Sequence, residues 1–173
     1  MVTVRAAERG DIAAITAIYA PAVRDGTASF EYEPPDEAEM ARRWQSIVDG
    51  GYPYLVALDG GEVAGYAYAS SYRPRAAYRY VVENSIYIAP GRHGQGVGRL
   101  LLRELVEVCT ARGFRQMIAV IGDSRQQASI GLHRSLGFTF VGVVHAVGFK
   151  HGRWLDQVLM QLPLGDGDAT LPT

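Results

Sequence analysis

The chain has 173 residues, 48% of them hydrophobic, with a formal net charge of −1. That length holds one compact domain with its own core, and the near-neutral balance gives no basic field for nucleic acid or an anionic membrane. The single cysteine, Cys109, excludes an internal disulfide framework or a cysteine zinc cage, and no metal is expected. No run is long and apolar enough to span a membrane, and the N-terminus lacks the layout of a signal peptide, so a cytoplasmic protein is expected.

Residues 2–5 alternate as a short strand does. Asp11 reads as the N-cap of a helix carrying Ile12, Ile15, Ile18 and Tyr19, with Pro21 near its end. Residues 24–34 are irregular. Pro35-Asp36-Glu37 then opens a second helix through Met40, Trp44 and Ile47, closed by Gly50-Gly51. Residues 54–58 and 63–69 flank the turn Asp59-Gly60-Gly61, a hairpin signal. An arginine- and tyrosine-rich link spans 72–80, and 81–88 form a third long strand.

A leucine-rich helix follows and runs to about Arg112, with Gly113 as its stop. Cys109 lies in its apolar stripe and reads as buried filler. Residues 117–121 suggest a strand, and 126–136 a helix ended by Gly137. Residues 138–144 and 154–162 are the last strands, joined through Lys150-His151-Gly152-Arg153. Residues 165–173 are expected to be a disordered tail behind a single domain of residues 1–164. The expected class is α/β (α+β), a central mixed twisted sheet of about seven strands flanked by about four helices.

The most informative stretch is Gly91-Arg92-His93-Gly94-Gln95-Gly96-Val97-Gly98-Arg99. It joins a strand to a helix, and glycines there let the backbone approach an anion at the unpaired first N–H groups of the helix. A Walker loop would need Lys-Ser/Thr after its last glycine, but Arg99-Leu100 stands there. A dinucleotide fingerprint would need Gly-x-Gly-x-x-Gly and an acid about 20 residues on, but the spacing is Gly94-x-Gly96-x-Gly98 and Met117-Ile118-Ala119 occupy that region. A plain strand-to-helix turn also wants glycine, so the loop alone leaves phosphate binding and a structural turn both open.

The order of elements, that glycine loop and the segment Ala128-Ser129-Ile130-Gly131-Leu132-His133-Arg134-Ser135-Leu136-Gly137-Phe138 resemble the GCN5-related N-acetyltransferase (GNAT) family. Three further motifs resemble its phosphinothricin and methionine sulfoximine branch. They are Val82-Glu83-Asn84-Ser85-Ile86-Tyr87-Ile88, Arg73-Pro74-Arg75-Ala76-Ala77-Tyr78-Arg79 and Gly148-Phe149-Lys150-His151-Gly152-Arg153-Trp154-Leu155-Asp156.

The resemblance implies the GNAT fold over residues 2–162 and acetyl-CoA as cosubstrate. His93, Gly94, Gln95, Gly96, Val97, Gly98 and Arg99 would hold its pyrophosphate. Ile86, Tyr87 and Ile88 would pair with its pantetheine arm as an added strand, with Gln126 and Ser129 nearby. His93 departs from the Gln or Arg usual in the family, although a main-chain cradle tolerates that. Gln126 stands where the branch often has Asn.

Acetyl transfer to an amine needs a base for the ammonium, a donor for the thioester oxygen and a proton for the departing thiolate. The resemblance implies Glu83 as base and His133 as the acid. It also implies a small amino-acid-like acceptor, such as phosphinothricin or methionine sulfoximine, and a homodimer. Arg73 and Arg75 would pair with the acceptor carboxylate, and Phe30, Glu31, Tyr78, Lys150 and Trp154 would wall its site. The alternatives are a different amine acceptor, such as another amino acid, a polyamine or a protein N-terminus, or a non-catalytic acyl-CoA sensor.

Overall fold

The computed structural model describes residues 1–172. Among the described residues, seven strands form one mixed sheet and four α-helices cover its two faces. The elements are β1 (Thr3–Ala6), α1 (Ile12–Arg24), α2 (Glu37–Asp49), β2 (Tyr54–Asp59), β3 (Glu62–Ser71), β4 (Val81–Ile88), α3 (Val97–Ala111), β5 (Gln116–Gly122), α4 (Gln127–Ser135), β6 (Thr139–Lys150) and β7 (Arg153–Pro163). The sheet order is β1-β2-β3-β4-β5-β7-β6. Among the described residues only β4 and β5 pair in parallel, and α3 makes the crossover between them. The expected mixed sheet of seven strands with four helices is what forms.

Strand alternation divides the core into two layers. Leu55, Ala57, Ala67, Ala69, Val82, Met117 and Ala119 meet Leu101, Leu102, Leu105 and Cys109 of α3. The residues between them, Tyr54, Val56 and Tyr66, meet Ile15, Ile18, Tyr19 and Val23 of α1 and Met40 of α2. The small residues of β3 let α3 approach closely. A Cβ on Gly65 would stand 2.9 Å from the Tyr87 carbonyl oxygen and 3.2 Å from Leu101 Cδ1. Cys109 is fully buried, as its helical position suggested, and burial pushes its thiol up to about 12.

Two local expectations change, at Asp11 and in the sixth strand, while Pro21 stands near the end of its helix as expected. Asp11 holds the N-cap position of α1 but does not cap it with its side chain. Its carboxylate accepts two hydrogen bonds from Arg5, at 2.7 and 2.9 Å, and one from the Glu8 N–H at 2.8 Å, which binds β1 to a 3-10 turn at Arg9–Asp11. Pro21 lies inside α1, which continues to Arg24 at the cost of one backbone bond.

Strand β6 does not stop at Val144 but continues to Lys150 past a bulge. The pairing steps from Val144↔Gln157 to Gly148↔Leu155, so residues 145–147 lie opposite Asp156 alone. The Asp156 carboxylate accepts the Ala146 N–H at 2.9 Å, where φ is +51°. Periodicity could not show this, because a bulge breaks the period.

Beyond β7 the chain turns back on Arg115. Its guanidinium donates to the Gly167 carbonyl at 3.1 Å, the Thr170 hydroxyl at 3.0 Å and the Leu171 carbonyl at 3.0 Å. The last residue of the expected disordered tail, Thr173, lies outside the described residues.

Asp11→Ala is expected to lower the unfolding free energy by about 1–3 kcal/mol near neutral pH, by removing the acceptor of three hydrogen bonds. The bonds from Arg5 hold the Asp11 carboxyl below its ordinary 3.8, against the opposing effect of burial. The folded form therefore binds its proton more weakly than the unfolded chain does. The stabilisation is complete above the ordinary value and is lost as pH falls through the lowered one. Urea unfolding of both proteins from pH 7 to pH 3 should show the difference shrinking only below about pH 4.

Candidate functional site

The site begins where one pair of strands parts. β4 and β5 stay in register through Val81↔Gln116, Val82↔Met117, Glu83↔Ile118 and Asn84↔Ala119, and then separate. β4 continues to Ile88 paired only with β3, from Ser85↔Tyr68 to Ile88↔Gly65. On its other edge, beyond Asn84, the backbone of β4 has no partner strand among the described residues. That edge opens into a cleft of about 830 Å³ lined by residues 84–88 of β4, residues 119–122 of β5, the glycine loop and α4. An open strand edge inside a cleft accepts an extended ligand by backbone hydrogen bonding.

The glycine loop closes one end. Gly94 has φ +74° and Gly96 has φ +82°, a region that side chains rarely adopt, so glycine is required by conformation. Gly96 occupies the N-cap position of α3 and supplies no side-chain cap. The first bond inside the helix is Leu100 N–H to Gly96 O, at 3.1 Å, so the N–H groups of residues 97–99 have no partner within α3. At Gly98 the requirement is space, since a Cβ would come within 3.3 Å of Leu132 Cδ2 on α4. The end of the cleft is therefore an anion cradle made of main chain. Of the two arginines that line this end of the cleft, Arg92 is engaged, donating to Asp59 at 2.8 Å.

The expected coenzyme residues collect here. Ile86, Tyr87, Ile88, His93, Gly94, Gly96, Gly98, Arg99, Gln126 and Ser129 all line the cleft. Two do not. Val97 is buried in the core, and Gln95 turns back to donate to the Gly91 carbonyl at 2.9 Å. Gln126 donates to the Thr27 hydroxyl at 3.2 Å, so it also joins the cleft to the segment after α1.

Glu83 lies one residue before the parting, between Ser70 on β3 and Ile118 on β5. Alternation sends it to the same sheet face as Tyr68 and Ser85, the face covered by α1 and α2. Among the described residues it makes no ion pair or side-chain hydrogen bond, and burial raises its carboxyl above the ordinary value. An unpaired, half-buried carboxylate with raised affinity for protons has the properties of a base.

Asn84 leaves the opposite face and meets His133. The imidazole is 2% exposed, with Nδ1 2.8 Å from the Ser129 carbonyl oxygen and Nε2 3.0 Å from Asn84 Oδ1. Burial lowers the pKa of His133, partly offset by the bond to Ser129. The sequence reading passed over Asn84. The available signal was an amide at the inward position of the series Val82, Asn84, Ile86, Ile88, otherwise apolar.

The residues expected to bind an acceptor are placed differently, and none lines the cleft. Arg73 and Arg75 are exposed in the link before β4, where Arg73 stacks on Tyr72 and Tyr78 with centroid distances of 5.3 and 6.0 Å. Trp154 is 66% exposed and meets Phe149 edge-on at 5.2 Å. Glu31 accepts two bonds from Arg43, at 2.8 and 3.0 Å, and one from the Tyr19 hydroxyl. The Arg43 bonds lower its carboxyl.

Phe30 is wedged against two glycines. A Cβ would stand 2.9 Å from its ring on Gly122 and 2.5 Å on Gly148. Lys150 is 3% exposed and donates to the carbonyls of Val23 at 2.5 Å and Ser29 at 2.8 Å. Asp123, in a left-handed conformation at φ +70°, accepts from Thr27 at 2.7 Å and Arg153 at 2.5 Å. Burial alone would raise the Asp123 carboxyl, but the bonds from Arg153, Thr27 and the Arg125 N–H hold it down at about 2. Together these contacts fix the segment after α1 beside the cleft, where Ala28 forms part of the wall.

Comparison with known proteins agrees with this geometry. The model of the Acetyltransferase (GNAT) family matches residues 14–138. A phosphinothricin N-acetyltransferase of Alcaligenes faecalis is 56% identical over 170 residues, 98% of this chain and 86% of the relative. An L-methionine sulfoximine/L-methionine sulfone acetyltransferase of Pseudomonas aeruginosa is 43% identical over 163 residues, 94% of each chain. The crystal structure of a phosphinothricin acetyltransferase from Sinorhizobium meliloti in complex with AcCoA superposes with a TM-score of 0.96 at 56% identity, covering 99% of this chain and 93% of that one.

Lys150→Met is expected to leave the Val23 and Ser29 carbonyls without their donor and to cost roughly 2–4 kcal/mol of stability. Urea unfolding should show the lower midpoint. Hydrogen exchange should quicken first in residues 24–32, because that segment loses its anchor. An unchanged exchange pattern would mean that other contacts hold the segment.

Proposed function

Since the chain belongs to the GNAT family and is an acyltransferase, we propose that it transfers the acetyl group of acetyl-CoA directly to the α-amino group of a small amino-acid-like acceptor, phosphinothricin or methionine sulfoximine being the model compounds. The observation that carries the reading is the parting of β4 from β5 after Asn84 beside the free amides of the Gly94–Gly98 loop. That arrangement suits acetyl-CoA at both ends. The loop amides match a pyrophosphate, and the open edge of residues 86–88 matches the peptide-like pantetheine arm. Acetyl-CoA supplies the acyl thioester when bound.

Glu83 then stands next to the position the thioester takes and receives the proton of the acceptor ammonium, on the face covered by α1 and α2. Its raised pKa brings it nearer to working pH than a free carboxylate. The names and identities of the relatives support the acceptor class. We assign Arg73 and Arg75 to meeting the acceptor carboxylate as it approaches, rather than to the wall of the cleft. The role would be detoxification of such compounds, including herbicide resistance, in the cytoplasm where acetyl-CoA is available.

The same reading includes a homodimer. Phe140, Val141, Val144, Val147, Phe149 and Trp154 are exposed together along the β6–β7 edge, and an apolar patch of that kind marks a surface for a second chain.

A thiol-release assay with acetyl-CoA across a panel of phosphinothricin, methionine sulfoximine, common amino acids and polyamines tests the proposal. Turnover should be fastest with the first two. Preference for a polyamine would refute the acceptor class, and tight acetyl-CoA binding with no release from any amine would refute catalysis. Glu83→Gln should lower kcat by about a hundredfold or more with little change in the KM for acetyl-CoA. Gly98→Leu should weaken acetyl-CoA binding at least tenfold in calorimetry by forcing the start of α3 away from Leu132; unchanged affinity would reduce the loop to a turn.

A further inference from the structure

We propose that Asn84 is a positioning residue, whose side-chain amide donates to His133 Nε2 and holds the ring as the neutral tautomer with its proton on Nδ1. Three observations carry this. The Ser129 carbonyl, 2.8 Å from Nδ1, can only accept, so Nδ1 carries a proton. Both ring nitrogens would then be protonated if Nε2 donated to Asn84 Oδ1, giving a cation in an environment with no counterion. Among the described residues no carboxylate pairs with His133, and its ring is covered edge-to-face by Phe138 at 4.9 Å and 89°.

The third observation concerns Asn84. With Oδ1 turned to His133, its Nδ2 is fully buried without a hydrogen-bond partner. A buried unmatched N–H donor costs more than an unmatched carbonyl lone pair. Rotating the amide by half a turn exchanges two groups of nearly equal shape and resolves both conflicts together. Nδ2–H then donates to the Nε2 lone pair at the same 3.0 Å separation, and His133 is neutral. Burial acts in the same direction on the ring.

The consequence is for the leaving thiolate. An acid at that position would need a proton on Nε2, and Asn84 reserves Nε2 as an acceptor. His133 therefore does not deliver that proton from its resting state. It serves with Asn84 as a fixed neutral pair that ties α4 to β4 at the last residue before the strands part. The tautomer follows from the bonds of this chain alone and does not depend on the proposed acyl transfer; only the kinetic arm of the test does.

The test is a two-bond proton–nitrogen correlation spectrum of the histidine-labelled full chain at pH 7. The expected His133 pattern is the Nδ1–H tautomer with Nε2 shifted as a hydrogen-bonded acceptor. An Nε2–H tautomer or an imidazolium in the wild-type protein would overturn the assignment, with no variant needed. Asn84→Asp keeps the shape but replaces the donor with a group that draws a proton onto Nε2. It should turn His133 into an imidazolium and lower kcat at least tenfold, while the KM for acetyl-CoA stays within threefold. Wild-type kcat in a folded Asn84→Asp protein with that altered ring would overturn the positioning role. The amine panel fails independently if the acetyl-transfer reading is wrong, leaving the spectrum to judge the tautomer.

Discussion

The controlling constraint is that β4 abandons β5 halfway along. A parallel pair buried at the centre of a sheet normally satisfies every backbone group, and leaving such groups unmatched is expensive. Here the pairing stops at Asn84↔Ala119 while both strands continue. The fold tolerates this because β3 supports β4 to its end and the antiparallel β7 supports β5 to Gly122. The cleft is thus part of the sheet itself, and its polar edge is backbone that the fold leaves available to a ligand.

The elements around the split make it rigid. α3 packs closely on β3 through small residues, which fixes the start of the helix and the glycine loop ahead of it. α4 is joined to β4 through His133 and Asn84. The segment after α1 is held by Lys150, by the Phe30 wedge and by the bonds of Thr27 with Asp123 and Gln126. Preorganised amides and a fixed cleft width favour binding because less order has to be imposed when a ligand arrives.

Much of this was legible in the sequence because it depends on local patterns. Helix starts, the hairpin glycines, the strand–loop–helix unit and Cys109 as filler each reflect spacing within a few residues. The motifs around Glu83, Gly94 and His133 also carried the family. What escaped depends on distant partners. Lys150 sits in a motif suggestive of a ligand site, but its ammonium is bound by carbonyls more than 100 residues away in the chain. Phe30 is likewise wedged against Gly122 and Gly148, contacts that no local pattern announces. Sequence pattern shows which residues are chemically capable, whereas three-dimensional pairing shows which are already committed.

The Phe30 wedge also limits how this scaffold can diverge. Its ring occupies the space that a side chain at 148 would otherwise fill, so residues 30 and 148 form one steric unit, while at Gly122 the Thr27 carbonyl oxygen, 2.9 Å from a would-be Cβ, excludes a side chain whatever stands at 30. Substituting either glycine alone produces a collision, and shrinking the ring alone leaves a void between two strands. Positions 30 and 148 should therefore covary among related sequences, and grafting the segment after α1 from another acetyltransferase requires carrying both glycine positions with it, 148 for the ring and 122 for the backbone of the graft.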